Sequence, residues 1–105
     1  MKYKIQNLPK AIKDMYRLDE SVQRRVVKAI DKVSFNPLSI YEGGYGKPLG
    51  NKSNVDLTGL YKIKLKRDGI RIVYKLMKTD KTMIIIVAEV RKDDEVYKET
   101  SKRIE

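Results

Sequence analysis

A nearly unbroken apolar run late in the chain limits the possible fold more than any other feature. From Thr82 to Arg91 most residues are apolar, and isoleucine and valine fill positions 84–87 without interruption. A strand that lacks polar alternation must be covered on both faces. The run therefore predicts a strand in the middle of a sheet.

Strict alternation before this run predicts a β-hairpin. Apolar side chains occupy every second position from Tyr61 to Leu65 and again from Ile70 to Leu76. Between the two segments lies Asp68-Gly69, a dipeptide that favours tight hairpin turns. Together with the apolar run, the hairpin predicts three consecutive antiparallel strands.

Basic residues share one face of this predicted hairpin. If Asp68 and Gly69 form a two-residue turn, Lys66 lies opposite Arg71 and Lys64 lies on the same face, with Lys62 and Lys75 continuing the alternation. Like charges opposite one another destabilise a sheet, so such a face is expected to bind an anion, and phosphate is the natural candidate. Alternating lysines are also typical of a solvated strand face that prevents edge pairing.

The first part of the chain predicts an edge strand and two helices. Lys2 to Gln6 alternates charged and apolar residues. Apolar residues then recur at helical spacing from Leu8 to Leu18 and from Val22 to Val33, with Asp19 as the N-cap of the second helix. Pro37 lies just beyond this second run. The two helices are expected to form a hairpin.

The remaining segments complete a single domain. Asn36 to Asn54 is rich in glycine and shows no period, which predicts a long loop. Asp93 or Asp94 can cap a short final helix that runs through Ile104. The expected fold class is α+β, in the order β-α-α-β-β-β-α, with residues 1–105 forming one domain whose helical hairpin packs on a mainly antiparallel sheet.

The charge balance favours a nucleic-acid partner. The 24 Lys and Arg residues exceed the 14 Asp and Glu residues, for a formal net charge of +10. Neither histidine nor cysteine is present, which excludes imidazole and thiolate chemistry. No stretch has the length and apolarity of a membrane span, and the first residues do not resemble a signal peptide, so we expect a cytoplasmic protein without metal or cofactor.

Two further residues extend the candidate site. Arg91 ends the apolar run, and Tyr97 follows in the predicted closing helix. In a three-stranded meander, Arg91 can lie alongside the basic face, where an arginine clamps phosphate and a tyrosine stacks on a base. We therefore expect Arg71, Arg91 and Tyr97 beside a solvent-facing groove. The acids Asp93 to Glu95 are more typical of a helix start than of a metal site.

These segments resemble the RelE toxins of type II toxin-antitoxin systems. The resemblance is carried by Tyr61-Lys62-Ile63-Lys64-Leu65, Gly69-Ile70-Arg71-Ile72-Val73-Tyr74, Arg91, Glu95-Val96-Tyr97 and Lys102-Arg103-Ile104. It implies that the family's catalytic set falls on Lys62, Lys64, Arg71, Arg91 and Tyr97. Two segments depart from the family pattern: the glycine-rich loop from Tyr41 to Asn54, and Lys92-Asp93-Asp94, which is more acidic than the expected basic run.

The resemblance implies a metal-independent endoribonuclease that cuts mRNA in the ribosomal A site. A ribose 2′-hydroxyl would attack the adjacent phosphate, with Lys62 or Lys64 as the base and Arg71 stabilising the phosphorane. Arg91 would stabilise charge with partial proton donation, and Tyr97 would orient the nucleotide. Lys66 and Lys75 would contact RNA. The implied partners are the ribosome, its mRNA and a RelB-like or other acidic or amphipathic antitoxin.

Two other functions fit the same chain. A ParE-like toxin with this fold would inhibit DNA gyrase through protein contacts and would not be a nuclease. A noncatalytic module would use the basic face only to bind RNA or the ribosome. The complete set of candidate residues favours the nuclease over both.

Overall fold

The structure is a computed structural model that describes residues 2–52 and 55–104, and it confirms the α+β class. Its five strands form one sheet in the order β1-β5-β4-β3-β2, and the only parallel pairing among these described strands joins β1 to β5. The elements along the chain are β1 Lys4–Asn7, α1 Pro9–Tyr16, α2 Glu20–Ser34, β2 Lys47–Lys52, β3 Val55–Leu65, β4 Ile70–Met77, β5 Thr82–Glu89 and α3 Asp93–Ile104.

The sheet separates two apolar cores because its strands alternate. On one face, Ile70, Ile72 and Tyr74 of β4 pack in the same core as Val26 and Ile30 of α2. On the other face, side chains of β3, β4 and β5 pack with those of α3, and we call this cluster the α3-side core. It includes Leu57, Leu60, Val73, Ile86 and Val87 of the strands and Val96 and Tyr97 of α3. The predicted central position of β5 is confirmed, since residues 85–89 are all buried between β1 and β4.

The helical hairpin follows its sequence signals closely. Pro9 is the first residue of α1, where its missing N–H is not needed. Asp19 is the N-cap residue of α2, although its side chain makes no capping hydrogen bond. The helix ends at Ser34, three positions before Pro37. No helix within the described residues is long and apolar enough to cross a bilayer.

The prediction of a structureless loop over residues 36–54 is wrong. A 3-10 turn spans Ile40–Glu42, and β2 then adds an edge strand that pairs antiparallel with β3. Packing explains the strand: Leu49 is 4% exposed in the α3-side core. Gly46 lies just before this strand, where a larger residue would not fit, because a Cβ there would lie 2.2 Å from the Tyr74 hydroxyl oxygen. Residues 53 and 54 of the predicted loop lie outside the described residues.

The predicted hairpin register is wrong by two residues. Leu65 pairs with Ile70, so the connection has four residues, 66–69, and Lys64 lies opposite Arg71. The reason is tertiary: Asp68 accepts hydrogen bonds of 2.6 and 2.9 Å from Arg25 of α2, which draws the loop toward the helix. Because the shift is an even number of residues, each side chain of the two strands stays on its predicted face of the sheet. Lys66, however, lies in the loop and not opposite Arg71.

Candidate functional site

Basic side chains form two adjacent rows across the α3 side of the sheet. In one row Lys47 pairs with Lys62, and in the next row Lys64 pairs with Arg71. Directly opposite residues of antiparallel strands point to the same face, so the four cations are neighbours. We call Lys62, Lys64 and Arg71 the basic cluster, and the sequence correctly predicts that they share a face.

Lys62 lies deepest in the basic cluster and contacts Tyr97. Its side chain is 9% exposed, and its amine donates a 3.0 Å hydrogen bond to the Tyr97 hydroxyl. The same amine lies 5.7 Å from the centre of the Tyr97 ring. Lys64, by contrast, is exposed to solvent. The two lysines therefore differ in access, which the strand pattern alone does not reveal.

The structure contradicts the expectation that Tyr97 lies in a solvent-facing groove. The side chain is 4% exposed and packs in the α3-side core with Val96 of the same helix. A helix that lies on the sheet buries the residues facing it, and Val96, Tyr97 and Thr100 have the spacing of that face. Tyr97 offers its hydroxyl to Lys62 and leaves no open ring face for a base to stack on.

Asp93, the first residue of α3, joins two members of the basic cluster. Its Oδ1 accepts a 2.6 Å hydrogen bond from Arg71 Nε, and its Oδ2 lies 3.6 Å from Lys62 Nζ. Partial burial alone would raise the pKa of Asp93, but the Arg71 bond and the charges of Lys62, Arg71 and Lys64 lower it overall. Asp93 is therefore ionised at neutral pH and faces the centre of the cluster.

A pocket of about 350 Å³ opens beside Lys62 and Tyr97. Its wall includes Lys47, Pro48 and Leu49 of β2, together with Asp93 and Asp94 of α3. Lys47 is exposed and lies beside Lys62 through the β2–β3 pairing. Lys47 was not predicted as a site residue because its segment has the pattern of a loop, and the pairing of β2 with β3 brings it to the site.

Arg91 points away from the basic cluster. Its Nε lies 2.9 Å from Glu89 Oε2, and its side chain lines a different pocket with Asp14 and Arg17 near α1. Glu89 is opposite Arg71 in the sheet, so Arg91 starts near the cluster but its charge is paired elsewhere. Lys75 is exposed on β4, opposite Leu60. Arg71, Lys62 and Lys64 are thus brought together, whereas Arg91 is not.

A buried ion network holds the far end of α3. Arg103 donates hydrogen bonds of 2.6 and 3.0 Å to the Asp14 carboxylate, and both side chains are almost fully buried. Arg103 also bonds to Glu99 at 2.8 Å, and Asp14 accepts the backbone N–H of Ala88. Burial raises the pKa of the nearby Glu89, and the charge of Asp14 raises it further. This network ties α3 to α1 and β5.

Several known proteins that are similar to this chain are RelE-type toxins. No protein-family model matches the chain. A curated protein of Escherichia coli, named "Putative RelE-like toxin protein", is 29% identical over 109 residues, which cover 99% of each chain.

Two solved structures are similar over the full length of both chains. The free state of an E. coli RelE toxin with two arginines replaced by alanine has a TM-score of 0.78 and 26% identity, with 100% of each chain covered. The same mutant toxin in complex with a peptide of the antitoxin RelB has a TM-score of 0.71 and 26% identity, again with 100% covered. In sequence and in fold, over its whole described length, the chain is similar to RelE-type toxins.

Proposed function

We propose that this protein is the toxin of a toxin-antitoxin system and an endoribonuclease that cuts mRNA in the ribosomal A site. The observation that carries the proposal is the convergence of Lys62, Lys64 and Arg71 on one sheet face, with the Tyr97 hydroxyl 3.0 Å from Lys62. These residue types suit a phosphate-centred reaction that uses neither imidazole nor thiolate, both of which the chain lacks. The similarity to RelE toxins supports the same proposal.

The proposed reaction needs a base, a stabiliser of negative charge and an acid. Lys64 suits the base, because it is exposed to the incoming 2′-hydroxyl and lies opposite Arg71 in the sheet. Arg71 suits stabilisation of the phosphorane, since a guanidinium fits two phosphate oxygens at once. Lys62, held by Tyr97, supplies a second fixed positive charge. Tyr97 then acts by positioning Lys62 rather than by stacking on a base.

Arg91 can take part in the proposed reaction only if its side chain changes position. To help stabilise or protonate the leaving 5′-oxygen, its guanidinium must leave Glu89, which it contacts at 2.9 Å. The side chain is 42% exposed, so it is not locked in place by packing. A guanidinium releases its proton very reluctantly, so its main proposed role is charge stabilisation with partial proton donation, and solvent water completes the protonation of the 5′-oxygen.

The proposed partners follow from the charge and from the relatives. A chain with a net charge of +10 attracts ribosomal RNA and mRNA through their phosphates. The antitoxin would be an acidic or amphipathic segment that covers the basic cluster. The similar E. coli mutant toxin forms a complex with a peptide of the antitoxin RelB, which supports an antitoxin as partner. Lys66 and Lys75 would add RNA contacts at the edges of the site.

A cleavage assay on programmed ribosomes tests the proposal. The purified protein should cut mRNA at A-site codons, detected by primer extension, and should fail on mRNA whose 2′-hydroxyl at that site is replaced by hydrogen. Arg71→Ala serves as the inactive control. Intact mRNA in the presence of DNA breaks in growing cells would instead indicate a gyrase inhibitor, and ribosome binding without cleavage would indicate a noncatalytic module.

A further inference from the structure

Asp93 places its carboxylate between two members of the basic cluster, Arg71 and Lys62. Its two carboxylate oxygens each face a different cation, with Oδ1 2.6 Å from Arg71 Nε and Oδ2 3.6 Å from Lys62 Nζ. Lys64 lies next to Arg71 in the sheet and adds a further attraction. Two oxygens shared between an arginine and a lysine are also how a phosphodiester would bind here. The carboxylate and the phosphate therefore compete for the same groups.

The contact can open without loss of the helix. Asp93 is 39% exposed, so water reaches the ion pair and can replace it. The rest of α3 is anchored independently: Val96 and Thr100 are fully buried, and Arg103 is bonded to Asp14. The first turn also has its own backbone bond, from Val96 N–H to the Lys92 carbonyl. Asp93 is thus an anion that covers the cluster more than it supports the fold.

Tethering makes Asp93 an effective competitor. A group on the same chain acts at an effective concentration on the order of millimolar or higher, so a dilute RNA strand must displace it to reach Arg71. A phosphate that a ribosome already holds in place is also presented at high local concentration and competes on equal terms. Such a contact would favour RNA that is already held in the correct position over free RNA.

We propose that Asp93 is a specificity-determining residue that blocks the phosphate site of the free protein until a positioned RNA displaces it. This inference rests on the proposed function for the identity of the substrate. The blocking contact itself concerns only anion binding.

The test measures binding of an RNA that cannot be cleaved. The probe is a short single-stranded RNA with methylated 2′-hydroxyls, titrated into the parental protein, Asp93→Asn and Glu95→Gln. Glu95 lies in the same first turn of α3 and is exposed, so its variant makes the same change in net charge. Asp93→Asn should bind about tenfold more tightly, with a salt dependence steeper by roughly 0.7 for each phosphate gained. Glu95→Gln should change affinity by less than about twofold.

A second measurement uses inorganic phosphate and thermal unfolding. Phosphate should raise the melting temperature of Asp93→Asn more than that of the parental protein, because only the variant leaves the cluster without its internal anion. Equal RNA affinities for Asp93→Asn and Glu95→Gln, weaker RNA binding by Asp93→Asn, or equal phosphate effects would each overturn the blocking role.

Cleavage assays separate this inference from the proposed function. If no protein cuts ribosome-bound mRNA but Asp93→Asn binds the probe more tightly, the nuclease proposal fails and the blocking role stands. If the parental protein cuts ribosome-bound mRNA but the two variants bind the probe alike, only the blocking role fails. If both hold, Asp93→Asn should also cut free RNA faster than the parental protein does.

Discussion

Replacement of Tyr97 by alanine should destabilise the protein far more than a change in a surface groove would. A tyrosine side chain buries on the order of 150–250 Å², which at about 25 cal/mol per Å² corresponds to roughly 4–6 kcal/mol. Tyr97 is 4% exposed, so nearly all of this area is buried. Alanine retains part of the contact, and we expect Tyr97→Ala to lower the free energy of unfolding by about 3–5 kcal/mol. The melting temperature should fall by roughly 4 °C or more per kcal/mol.

Urea denaturation followed by circular dichroism measures this loss, and two variants serve as controls. Tyr41→Ala removes a tyrosine that is 86% exposed, so its stability should change by no more than about 0.5 kcal/mol. Tyr97→Phe removes only the hydroxyl that binds Lys62, for an expected loss of about 1 kcal/mol. A loss of less than about 1 kcal/mol in Tyr97→Ala would refute the assignment of Tyr97 to the core. Tyr97→Phe is therefore the variant that tests the chemistry.

Three further predictions concern the site and the charge network. Arg71→Ala should slow single-turnover cleavage on saturating ribosomes by roughly two to three orders of magnitude, whereas the exposed Lys75→Ala should weaken binding and flatten its salt dependence with an unchanged rate. Parental rates for Arg71→Ala would contradict the nuclease assignment. Asp14→Ala should cost about 3 kcal/mol in urea denaturation, because Arg103 stays buried without its main partner, and Arg103→Met in the same chain should recover part of the loss. The pKa of Glu89 is raised in the folded protein, so the folded state binds this proton more tightly than the unfolded state does. The resulting stabilisation is fully present below the ordinary pKa of 4.5 and is lost as the pH rises through the higher folded pKa. The parental protein should accordingly lose stability relative to Glu89→Gln as the pH rises above about 4.5, and a difference that does not vary with pH would contradict this.

Periodic patterns predicted the central elements of the fold because burial there follows the backbone repeat. The alternation at 61–65 and 70–76 identified β3 and β4 and the shared face of the basic cluster. The apolar run at 84–87 identified β5 as a covered strand. In each case one face or both faces pack against a core, so the sequence has to carry the pattern.

Features that depend on contacts between distant segments could not be predicted in the same way. β2 has no alternation of its own, and it is a strand because it pairs with β3 and buries Leu49. The hairpin register depends on the bond between Asp68 and Arg25, which are far apart in the sequence. The direction of Arg91 depends on Glu89. The buried position of Tyr97 did leave a signal, since Val96, Tyr97 and Thr100 have helical spacing.

The parallel pairing of β1 with β5 joins the first described strand to the last one. Lys4 lies opposite Thr82, so during synthesis β1 leaves the ribosome long before its partner is made. Contacts between such distant segments close large loops and form slowly. Asp93, Tyr97 and Arg103 follow β5 and complete the site and the network that holds α3. We expect a nascent chain to lack the Tyr97 and Asp93 contacts of the basic cluster until α3 has left the ribosome and packed on the sheet.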